Sequence, residues 1–122
     1  MKAIVIDEFG GPEKLHVKEV QKPSALDSEV LVQVAYAGVN PVDRKIREGF
    51  LKERLPHVFP IILGWDVSGT VLEIGKAVKN LKVGDQIYSY IRKPVVQWGA
   101  YAEYVAIEAK HVVRKPSSLT LA

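Results

Sequence analysis

Glycine and proline punctuate this chain so often that no wholly apolar run exceeds a few residues. That spacing excludes a membrane-spanning helix and favours short strands bounded by turns. The apolar bursts are rich in Val, Ile and Tyr, as pleated, half-buried surfaces prefer. Residues 2–6 form one. Leu15, Val17 and Glu19 alternate with His16, Lys18 and Val20 as a half-buried strand would. From Glu29 onward, Val30, Val32, Val34 and Tyr36 share one face, with period two. Residues 66–74, 86–91, 101–107 and 111–114 complete the set. Gly69 interrupts its strand, which signals a bulge, a bend or the close approach of another backbone.

Asn40-Pro41 breaks the period. Asn favours the N-cap, Pro the first helical position, and Asp43 falls in the first turn where the helix dipole favours an anion. Val42 and Ile46 share a face and Gly49 stops the helix, so a short helix is predicted over 41–48. Segment 50–60, ending in Pro56 and Pro60, reads as irregular, and Ile91 to Trp98 as a short loop. At least six strands with one or two short helices predict a mainly β barrel or sandwich in one domain spanning 1–122.

Composition narrows the chemistry. There is no cysteine, which removes thiol nucleophiles and every cysteine-based metal site, and points to a cytoplasmic setting. Met1 to Asp7 meets an acid too early for a signal peptide. The 17 basic against 14 acidic residues leave a net charge of +3. The bases concentrate in 44–54, 76–82 and 110–115, without the interleaved aromatics of a nucleic-acid reader. His16, His57 and His111 lie on separate elements. Gly64 to Gly69 has the glycine spacing of a phosphate loop but continues Thr70-Val71, with no lysine for phosphate.

Three motifs remain. They are Ala37-Gly38-Val39-Asn40-Pro41-Val42-Asp43, then Leu63-Gly64-Trp65-Asp66-Val67-Ser68-Gly69 leading to Val83-Gly84-Asp85, and Gly99-Ala100-Tyr101-Ala102-Glu103-Tyr104-Val105. Each alone is a strand end and a turn; Asn40 is at least a helix cap, and Asp85 a turn residue that bonds its own backbone. Together, in this order, they resemble the N-terminal domain of the medium-chain dehydrogenase/reductase superfamily, over Met1 to Pro116. That resemblance implies a GroES-like, partly open β-barrel, followed in complete members by a nucleotide-binding Rossmann domain that is absent from these 122 residues.

Zinc-dependent members carry cysteine at the position of Asn40 and His-Glu at Trp65-Asp66. The replacements remove the thiolate and imidazole ligands of catalytic zinc, and a short loop stands where the structural-zinc cysteines would be. The resemblance therefore narrows to the zinc-free quinone oxidoreductase-like branch, with no metal. It implies NADPH as cofactor of the complete protein and a quinone or enone as substrate. It further implies Asn40 and Asp43 as catalytic residues, Asn40 also touching the cofactor, and Trp65, Tyr88, Tyr90 and Trp98 as pocket walls. Many such enzymes have Tyr where this chain has Lys45, which is read as solvated. The chain alone is expected to be inactive, and the complete protein to form a homodimer. Two other readings compete: a stand-alone GroES-like binding or assembly module, and a small basic barrel that binds nucleic acid.

Overall fold

The longest strand, β3 (Glu29–Gly38), organises the molecule; a computed structural model describes residues 1–122. In chain order the others are β1 (Lys2–Ile6), β2 (His16–Glu19), β4 (His57–Ile62), β5 (Asp66–Ile74), β6 (Gln86–Tyr90), β7 (Val96–Trp98), β8 (Tyr104–Glu108) and β9 (Val112–Arg114). The single α-helix, α1, spans Pro41–Arg47. The five-stranded sheet has the order β8-β3-β5-β6-β9 and the four-stranded sheet β2-β1-β4-β7. Neither sheet closes on itself, so the expected mainly β, partly open barrel is what forms.

β3 lies between β5 and β8 because Val30, Leu31 and Val32 can be buried completely. Val30, Leu31 and Val32 expose nothing to solvent. Val30 and Val32 pack with Val67, Val71, Ile87, Val105 and Ile107 in the larger core. Each such side chain contributes roughly 1.5–3 kcal/mol on burial. Gly69, opposite Val34, has no room for a side chain, since a Cβ would collide with the Gln33 carbonyl. Close backbone approach is realised here, and the β3–β5 register also shifts beside it, between Val34 and Tyr36.

A second core joins α1 to the smaller sheet. Ile46 projects from α1 into Ile6, Ile61, Leu63, Trp65 and Val96. Arg47, also buried, donates from Nη1 to the Gly10 carbonyl at 2.9 Å.

Five expectations change. The single face expected for Val30, Val32, Val34 and Tyr36 breaks at the register shift between Val34 and Tyr36, which leaves Tyr36 56% exposed. β2 is exposed along its whole length rather than half-buried. It forms the edge of its sheet, where His16 and Lys18 meet Asp7 at 3.0 and 3.5 Å. Segment 50–60 is not irregular throughout: β4 begins at His57 and passes through Pro60. Pro60 is tolerated because β1 pairs only with Ile61 and Ile62, and the parallel pairing with β7 is interrupted between His57 and Ile62. That pairing also turns the end of the expected 91–98 loop into β7. Finally, 101–103 are not yet in β8. They bond instead to β1, through Ile4 N–H to the Tyr101 carbonyl at 2.8 Å and Glu103 N–H to the Lys2 carbonyl at 3.2 Å. The chain thus crosses from one sheet to the other at this corner.

Candidate active site

β3 ends at Gly38, and Asn40 stands in extended backbone (φ −127°, ψ 159°) as the N-cap of α1. Pro41 then opens the helix, whose missing N–H leaves no donor unmatched. Asp43, one turn in, folds back so that Oδ2 accepts the Asn40 backbone N–H at 2.8 Å. The Asn40 side chain completes a capping box with Asp43 and also reaches β5. Its Nδ2 donates to Oδ2 of Asp66, the first residue of β5, at 2.7 Å.

Asp43 is only 4% exposed, a carboxyl in the core that must be satisfied internally. Besides Asn40 N–H, it accepts the Gly64 N–H on Oδ1 at 3.1 Å and the Tyr101 hydroxyl on Oδ2 at 2.9 Å. Gly64 is required here twice over. Its φ of +98° suits glycine, and a Cβ would stand 2.7 Å from the Tyr101 ring. Burial, aided by the Asp43 hydrogen bond and charge, pushes the Tyr101 phenol well above the usual tyrosine range. Tyr101 therefore serves as a donor and not as a phenolate.

A carboxylate only accepts, so the bond to Asp66 fixes which end of the Asn40 amide is nitrogen. One hydrogen of that NH2 is committed to Asp66. The other remains for a ligand, while the side-chain oxygen faces the Asp43 N–H in the capping box.

Beside Asp66 lies an open depression of about 640 Å³, floored by the outward faces of β3, β5 and β6. Tyr36, Tyr88 and Tyr90 line it at 56, 47 and 56% exposure. Leu121 reaches its edge, where its carbonyl accepts the Ser68 hydroxyl.

The expected site residues are therefore only partly united. Asn40 and Asp43 belong to one network, and Tyr88 and Tyr90 face the neighbouring depression. Trp65 is largely core, 9% exposed, with Tyr90 against it edge-on (centroids 6.1 Å apart) and the Arg92 guanidinium 5.6 Å from its ring centroid. It supports Tyr90 from beneath rather than lining the open surface. Trp98 is elsewhere, on β7 in the other sheet. Lys45 is exposed, as read. Asp85 caps its own turn, accepting the Lys82 N–H at 3.0 Å. Among the histidines, cysteines and carboxylates, no three are grouped to hold a metal ion.

Asp66 and Tyr101 are the partners that sequence reading passed over. Tyr101 was legible only as a strand residue, although two glycine-bearing motifs meet at it. Its link to Asp43 spans 58 positions.

Comparison with known proteins agrees with this geometry. Residues 26–117 match the family described as the alcohol dehydrogenase GroES-like domain. The chain is 36% identical to an Arabidopsis thaliana protein described as a chloroplastic NADPH-dependent alkenal/one oxidoreductase, over all of this chain and 33% of that protein. The quinone oxidoreductase of Coxiella burnetii superposes with a TM-score of 0.87 at 34% identity, covering 99% of this chain and 38% of that one. The Escherichia coli quinone oxidoreductase in complex with NADPH gives 0.88 at 27% identity, with 99% and 35% covered. The chain thus spans about a third of the length of the relatives it matches.

Proposed function

This chain belongs to the alcohol dehydrogenase GroES-like domain family, and from that premise we propose that it is the substrate-side domain of a zinc-independent, NADPH-dependent quinone or enone reductase. The observation that carries the proposal is the Asn40 amide, oriented by Asp66 and the capping box and still holding one free N–H beside an open, tyrosine-lined depression.

That free N–H fits an oxygen of a nicotinamide carboxamide or ribose hydroxyl, each of which can accept it. When bound, NADPH supplies a hydride for the activated double bond or quinone. The chain's own residues hold and orient. Asn40 holds the nicotinamide end of the cofactor with that N–H, and a donor fixed in advance keeps the hydride in line with the substrate. Asp43 is a positioning residue, anchoring the start of α1 and hence the Asn40 backbone. Tyr88 and Tyr90 are the pocket walls, with Trp65 behind Tyr90.

The donor set argues for zinc independence. At the zinc-ligand positions of related enzymes stand a neutral amide, an indole and a carboxylate already bonded to Asn40, with neither thiolate nor imidazole. In the densest basic segment Arg47 is buried on Gly10 and Arg44 pairs with Glu48 at 2.9 Å, while Lys45, Lys52 and Arg54 stay exposed. The Arabidopsis relative is described as chloroplastic, which lends no support to a cytoplasmic setting for this chain.

The test is to join this chain to the nucleotide-binding domain of a relative and follow NADPH oxidation with quinones and enones. We expect turnover that a chelator leaves unchanged and that Asn40→Ala lowers by about a hundredfold in kcat. Activity that depends on added zinc, or an Asn40→Ala enzyme as fast as its parent, defeats the proposal.

A further inference from the structure

A second concentration of unused chemistry lies at the other end of β3, in the seam between the two sheets. β3 has ten residues, so its ends are about 30 Å apart. Asn40 follows one end; Glu29, at the other, lines a cavity of about 450 Å³. The volume is within the range of small-molecule sites. Val20, Leu26, Ile62, Trp98, Tyr104 and Ala106 give it apolar walls.

Its charged groups are the Met1 amine, Lys22 and Lys93, against the single carboxylate of Glu29. Most of these are already engaged. The Met1 amine donates to the Val20 carbonyl at 2.7 Å and stands 3.4 Å from Glu19. The Lys22 ammonium lies 4.2 Å from the Tyr104 ring centroid. Glu29 accepts the Leu26 N–H at 3.0 Å.

Lys93 differs. It reaches inward from the turn between β6 and β7, donates to the Ala106 carbonyl at 2.9 Å, and forms no ion pair. Desolvation pulls its pKa down, and the more distant charges of Glu29 and Glu108 oppose that pull without cancelling it. A desolvated ammonium without a counter-ion is costly, and an anion delivered by a ligand removes that cost.

We propose that this seam is a second small-molecule site, which takes an amphipathic monocarboxylate with its carboxylate on the Lys93 ammonium and its apolar body against Trp98 and Tyr104. One unpaired ammonium calls for one carboxylate, and the walls call for a hydrocarbon body. The site is independent of the Asn40 network and of the proposed reductase activity.

Hexanoate is the probe, titrated into the 122-residue chain, with hexanol as its uncharged counterpart. Backbone amide shifts should saturate together at Val20, Leu26, Trp98, Tyr104 and Ala106, along with the ε-carbon resonance of Lys93. Hexanol should bind about tenfold more weakly, as should hexanoate to Lys93→Met, whereas Lys22→Met should lose much less. Shifts scattered over the surface, equal binding of hexanol, or undiminished binding by a folded Lys93→Met overturn the proposal. An unmoved Lys93 resonance in the unaltered chain overturns it without recourse to any variant.

Discussion

Asp43 gathers donors from three places in the chain: the N-cap at Asn40, the turn at Gly64 and the corner at Tyr101. Removing the carboxylate leaves all three without their acceptor in a nearly dry setting. Asp43→Ala is therefore expected to cost about 3 kcal/mol or more, read from urea unfolding. Tyr101→Phe removes a single donor and should cost about 1–2 kcal/mol. The phenol also makes a pH prediction. Its pKa is raised on folding above the ordinary 10.0, so above that value the unfolded chain releases the proton more readily than the folded one. Its contribution is complete below pH 10 and is lost as pH rises towards the higher folded value. Melts across that window should show a steeper loss in the unaltered chain than in Tyr101→Phe; parallel curves would refute the assignment.

Among the elements, those with local signals were legible. Asn40-Pro41 and Asp43 marked α1 almost to the residue, because cap, proline and dipole act within one turn. The strand character of β3 and the glycine in β5 were equally plain, but the register shifts that bury Leu31 and expose Tyr36 were not. β4 was not, since a proline normally argues against a strand, and only its interrupted pairing with β7 accommodates Pro60. Nor could local pattern show that the chain changes sheets at Glu103, whose N–H bonds β1 and whose carbonyl accepts from Val34 of β3. In the site, Asn40 and Asp43 were visible through their own cap, whereas Asp66 and Tyr101 join them only through tertiary contact. Two glycines test the elements directly. Gly69→Ala forces β3 and β5 apart, and Gly64→Ala forces the Tyr101 ring aside at an unfavourable φ. Each should cost about 2 kcal/mol or more by chemical denaturation, well above the usual Gly→Ala effect at an exposed site.

Over the whole molecule, apolar surface is unevenly distributed. The cores are closed, yet Tyr36, Tyr88, Tyr90 and Val113 leave one face of the larger sheet open to water. Such a patch favours association. Sedimentation should show self-association that rises with concentration and weakens in a Tyr88→Ser, Tyr90→Ser double variant; identical behaviour of the two would assign the association to another surface.

The Asp43 node also bears on how the chain reaches its native state. Its bonds close loops of 3, 21 and 58 residues, so its last partner arrives only after the crossing at residues 101–103 has brought the two sheets together. Long closures are entropically slow to form, and contacts of this separation lower folding rates. If Tyr101 docks after the rate-limiting step, Tyr101→Phe will speed unfolding and leave the refolding rate nearly untouched. The same bond that orders the resting site would then act as a latch on its lifetime, governing how long the assembled geometry persists before it opens.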